Sequence, residues 1–240
     1  MKSIKLLDSI RRNKTYFISA VFIDAAFILF LGLLSGFFFS RIEDSIFFAV
    51  KKQGLGLSGV FLEILLFVLA ISLVYWLFQG TAWWLSHKSA GRNFAFADFI
   101  RKFFSRNIFF LLIFFLLMLI YYMINFIYYL NTKEVSFSVK WVDVPVVVLF
   151  VFLFYFIVIG NAYLQGNFLT AWRKMKALFI PFVFWISALA VLNYFVFFLN
   201  AVSPVLVLAV GIVLVVPVFS LMRIYFIETT REGEREGEEQ

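Results

Sequence analysis

The chain has 240 residues, of which 64% are hydrophobic and 15% charged, with a formal net charge of +7. That is too little polar material to cover a globule in water, where charged residues usually make up ~25%; lipid is the solvent that tolerates such a surface. With no Cys, disulfides, thiolate catalysis and Cys-ligated metals are excluded, and the basic balance fits cytoplasmic loops facing anionic lipid better than it fits nucleic acid.

Six apolar runs follow one another along the chain, at residues 16–39, 58–85, 107–130, 143–164, 178–200 and 204–227. Each exceeds the ~20 helical residues needed to cross ~30 Å of hydrocarbon. The first run follows Lys2, Lys5, Arg11, Arg12 and Lys14 as a signal peptide would, but it is too long, contains Asp24 and lacks a small-residue cleavage site. It reads as a retained helix.

Between the first two runs lies QGLGLSG, residues 53–59, a G-x-G-x-x-G pattern. A dinucleotide loop needs a strand before it and an amphipathic helix after it. This one follows a basic loop and opens an apolar span, so it reads as a turn, with Ser58 as an N-cap. His87, at the inner end of the second run beside Lys88, reads as a solvated residue, and with no carboxylate cluster near it no metal or cofactor is expected.

With the N-terminus placed inside, 16 of the 21 Lys and Arg fall on the cytoplasmic side and 5 on the other. This bias predicts a multi-pass protein of the cell membrane with both termini cytoplasmic.

Short segments ending in a basic pair precede the odd-numbered runs: LLDSIRR (6–12), FADFIRK (96–102) and FLTAWRK (168–174). Phe96, Phe99, Ile100 and Phe103 share one helical face, so the segments read as interfacial helices whose basic residues meet anionic headgroups. The even-numbered runs carry a second echo, GTAW (80–83), GNAY (160–163) and MRIY (222–225), which aligns Trp83, Tyr163 and Tyr225 as interfacial aromatics. Together these predict an all-α bundle of six transmembrane helices. It is built from three parallel helical-hairpin repeats, about 1–90, 91–166 and 167–227, within one domain, 1–227. Residues 228–240, with six Glu and two Arg, read as a disordered acidic tail.

The mitochondrial carriers also have six spans in three hairpins, but their Pro-x-acidic-x-x-basic signature is missing, and spans 1 and 3 contain no Pro. In its basic segments and hairpins, over most of its length, the chain resembles uncharacterised six-span prokaryotic membrane proteins, including the membrane domain fused to some glycerophosphodiester phosphodiesterases. The resemblance implies an architecture and lends no activity.

Polar residues within spans are the best pointers to a role, since an ionisable side chain at a helix centre costs about 2.5–3.5 kcal/mol on insertion scales. Asp24 lies about 12 Å into the first span and Arg223 about 6 Å into the last. Gln79, Thr81 and Asn161 fall at comparable inner depths. These five form a candidate intramembrane polar layer. It is either a cavity open to the cytoplasm, with Asp24 and Arg223 as its charge pair, or a set of interhelical bonds. Glu63 is too far from Asp24 for the two carboxylates to share a substrate or metal. No catalytic constellation is visible, so the expected role is structural or partner-binding, with a protein partner or a second copy compatible. The alternative is a small-solute or ion transporter or channel. Pro217, in the middle of the sixth run, predicts a kink.

Overall fold

The computed structural model describes residues 8, 10–51, 57–132, 140–163, 168–198 and 203–238. Every regular element among them is helical. In chain order these are α1 (Lys14–Lys51), α2 (Leu57–Ser89), α3 (Phe96–Thr132), α4 (Lys140–Ala162), α5 (Phe168–Phe198), α6 (Pro204–Val210), a π-helical turn (Gly211–Val215) and α7 (Val216–Glu238). The physical cause is the apolar composition itself. In hydrocarbon every backbone N–H and C=O needs an internal partner, and a helix supplies one within its own segment.

Five helical stretches among the described residues are long and apolar enough to cross a membrane: Lys14–Ile42, Leu62–Ser89, Pro145–Ala162, Ala177–Val196 and Gly211–Thr230. The third apolar run, 107–130, is helical throughout α3. The turn glycines Gly54 and Gly56 and most of the last hairpin turn at 200–203 lie outside the described residues. So do Leu6, Leu7 and Ser9 of the first basic segment.

Several expectations are corrected. The segments at 96–102 and 168–174 are not separate interfacial helices; they are the opening turns of α3 and α5. No Gly or Pro separates them from the apolar runs, so nothing stops the helix. Trp83 and Tyr163, expected at the lipid interface, are buried in protein. α2 starts at Leu57, which puts Ser58 inside its first turn rather than at its cap. The acidic tail is helical as far as Glu238; it extends a helix already nucleated, and Glu and Arg are good helix formers.

The sixth run is interrupted by the π turn, not simply kinked. Pro217 has no N–H and its ring crowds the carbonyl four residues back. The wider turn just before it meets that demand, with the Val216 N–H reaching the Gly211 carbonyl.

By compactness the chain divides into two units: Met1–Ile100 with Leu189–Tyr225, and Arg101–Ala188 with Phe226–Gln240. The division does not follow the repeat boundaries.

In the first unit α1 and α2 run antiparallel. Asn13 Nδ2 donates to the Ser89 carbonyl at 3.1 Å at one end, and Arg41 meets Glu63 at 2.7 Å at the other. Between these ends the helices exchange aromatic contacts, Phe30 with Phe78 at 5.2 Å and Phe38 with Phe67 at 5.4 Å between ring centres. Such tilted pairs add about 0.5–1.5 kcal/mol beyond their buried area.

α2 ends where Gly91 takes φ 75°. The Arg92 N–H bonds the His87 carbonyl at 2.9 Å, and the Gly91 N–H bonds that of Lys88 at 3.0 Å. This is the Schellman arrangement, which needs a left-handed residue. It turns the chain back over the end of α2, so that Trp84 Nε1 donates to the Phe94 carbonyl at 3.1 Å. His87 is therefore fully buried, against the rings of Phe94 at 5.4 Å and Phe99 at 5.3 Å. Its expected solvation is overturned by this fold-back.

In the second unit Phe182 is wholly buried, with Tyr155 at 4.8 Å and Phe226 at 6.4 Å.

Candidate functional site

Asp24 on α1, Gln79 on α2, and Ser220 and Arg223 on α7 converge in the first unit. The Arg223 Nη2 group donates to Asp24 Oδ2 and, at 3.2 Å, to Ser220 Oγ. Its Nη1 donates to Gln79 Oε1 at 3.2 Å. Ser220 Oγ donates to Asp24 Oδ2 at 2.6 Å, and Gln79 Nε2 to Asp24 Oδ1 at 3.2 Å. Both carboxylate oxygens are thereby occupied. Phe219 and Trp83 cover the guanidinium, with ring centres 5.2 and 5.8 Å away.

The sequence explains the convergence. Ser220 and Arg223 are three apart on α7 and share a face. Asp24 and Gln79 meet because the antiparallel register of α1 and α2 sets them opposite one another. The cluster is buried: Asp24 is 2% exposed and Arg223 0%. Two opposite charges cancel the net charge, and the neutral partners fill the carboxylate's remaining acceptor sites. A buried ion pair persists under those conditions.

Of the five residues of the candidate layer, three are brought together here. Thr81 is not among them; its hydroxyl bonds the Leu77 carbonyl of its own helix at 2.6 Å. Asn161 belongs to the second unit, where it exchanges amide bonds with Asn107 at 2.9 and 3.3 Å. Arg106 caps α4 beside that pair. Its Nη1 reaches the Gly160 and Tyr163 carbonyls at 2.6 and 3.0 Å, carbonyls at a helix end that lack intrahelical donors. Sequence reasoning counted Arg106 only toward orientation and missed Asn107 and Ser220. Ser220 was legible from its spacing to Arg223, whereas Asn107 and Arg106 carry no comparable local signal.

A second ion pair joins α1 to α2. Arg41 donates from Nε and Nη2 to Glu63 Oε1, at 3.1 and 2.7 Å, with side chains 53% and 12% exposed. Among the described residues, no three His, Asp or Glu gather in a group that suits a metal ion.

Comparison with known protein families, with characterised proteins and with solved structures returns no match. Several helices long and apolar enough to cross a membrane are consistent with a membrane protein, and its role has to be argued from the site.

Proposed function

We propose that the chain is a six-span integral membrane protein of non-enzymatic, structural or partner-binding role, built from three like-facing hairpins with both termini in the cytoplasm. The third span is the run at 107–130, inside α3. The Asp24–Gln79–Ser220–Arg223 cluster is its internal clasp.

One observation carries this reading: the charged pair is buried, with polar partners drawn from the protein itself. A transport site needs water or solute to reach its polar groups. A clasp needs them sealed, because low dielectric strengthens the bonds that fix helix register.

The test uses the absence of native Cys. Ala20→Cys sits one helical turn before Asp24, at a wholly buried position. In intact membranes it should resist a water-soluble maleimide applied from either side and react fully after denaturation. Lys51→Cys and Arg101→Cys should label from opposite sides. Labelling of Ala20→Cys from the cytoplasm would replace the clasp with a wet cavity and favour small-solute or ion transport.

A further inference from the structure

Beside the Arg41–Glu63 pair, α1 and α2 enclose an open groove of about 390 Å³. Phe37 and Phe38 wall it from α1, and Leu66, Leu69 and Leu73 from α2, with Ala70 at its floor. The pair heads the groove and, among the described residues, is its only polar lining. From Glu63 to Leu73 the helix rises about 15 Å, which is one leaflet of a ~30 Å hydrocarbon layer. The groove therefore has the length and polarity of a phospholipid in place: charge at one end and a single-leaflet apolar trough below it.

The head is specific in its charges. Both Arg41 bonds fall on the same Glu63 oxygen, Oε1, while among the described residues Oε2 has no hydrogen-bond partner. A carboxylate oxygen left without a donor is unfavourable. Arg41, about half exposed, can still meet an anion. The pair thus lacks one N–H donor of positive charge and can accept one phosphate.

We propose that this groove holds a phospholipid with a primary-amine headgroup, of the phosphatidylethanolamine type. Its phosphate lies on Arg41, its ammonium on Glu63 and one acyl chain along Leu66, Leu69 and Leu73. Charge complementarity selects this occupant. A choline headgroup carries the positive charge but no N–H, and a glycerol headgroup carries no cation to meet Glu63. The assignment rests on the reading that α1 and α2 cross a bilayer.

The full chain, purified in mild detergent, would be given equal amounts of phosphatidylethanolamine, phosphatidylcholine and phosphatidylglycerol with matched acyl chains. Retained lipid would be counted by native mass spectrometry. The ethanolamine lipid should be retained about tenfold over the other two, the equivalent of one charge-assisted hydrogen bond. Glu63→Gln should abolish the preference for ethanolamine over choline, and Arg41→Gln should weaken retention of all three.

Ala70→Phe fills the groove and leaves the head pair intact; it should expel all three lipids, and it keeps the test open where a charge variant fails to fold. Equal retention of the three lipids by the native chain overturns the proposal, and so does an ethanolamine preference that survives Glu63→Gln. If alkaline carbonate strips the chain from membranes, the spanning reading itself fails. If the chain stays embedded but shows no headgroup preference, only this site fails.

Discussion

Asp24 and Arg41 lie on the same helix, about 26 Å apart at helical rise, and each meets an opposite charge. Asp24 is sealed with Arg223 among Gln79, Ser220 and two aromatic rings. Arg41 holds Glu63 with half of its own side chain exposed. The chemistry is the same and the environments differ. For the sealed pair the surroundings cannot replace a lost partner, so each residue depends wholly on the other. For the open pair, water and headgroups can reach the Arg41 guanidinium, so the bond adds little to stability and that group remains available to a ligand. The difference teaches that burial, more than residue type, divides these two antiparallel helices into a part that fixes structure and a part left open to its surroundings.

The largest effect should come from breaking the sealed pair. Arg223→Met or Asp24→Leu alone should each destabilise the detergent-solubilised protein by about 3–5 kcal/mol, because each leaves a buried charge unpaired. The double variant should recover most of that loss. Thermal unfolding followed by size-exclusion chromatography measures all three, and a double variant as unstable as the sum of the singles would mean that the residues are not a pair.

The neutral amide pair of the second unit sharpens the contrast between charge and burial. Asn107→Ala and Asn161→Ala should couple by about 0.6 kcal/mol and no more than about 1.7 kcal/mol in a double-mutant cycle, the average and the maximum for interhelical bonds in membranes. Coupling above 3 kcal/mol would make burial, and not charge, the deciding factor.

Gly91→Ala probes the backbone with both ion pairs untouched. A Cβ at φ 75° is strained, so the change should cost about 1 kcal/mol. It should also loosen the cover over His87, read as faster amide exchange at residues 87–94.

The smallest effect belongs to the open pair. The Arg41–Glu63 coupling should be about 0.2–1 kcal/mol and should fall as salt is raised from 0.1 to 1 M, where the screening length drops from ~10 to ~3 Å. A coupling that ignores salt would place this pair in the same class as the sealed one.

Helicity and the apolar runs were legible because they follow from composition and length alone. That Asp24, Gln79 and Arg223 lie several residues inside the ends of their runs was legible too, since that is a matter of counting residues from a run's end. The register of α1 against α2 was not, because it depends on which faces interlock; so Glu63 was assigned a depth without a partner. His87 was misread because its burial depends on a chain reversal at Gly91, and that reversal takes effect through rings several residues further on.

The sequence by itself determined that this polypeptide is helical and apolar enough for lipid, since a backbone without water must bond to itself and the runs are long enough to do so. Tertiary structure decided which polar groups meet. It joined Asp24 to Arg223 across almost the whole length of the chain, gave Asn161 to Asn107, and left Thr81 on its own backbone. Helix periodicity sets only the face a residue shares with its neighbours in sequence. Which face of which helix it meets is settled by packing, and packing is a property of the folded chain.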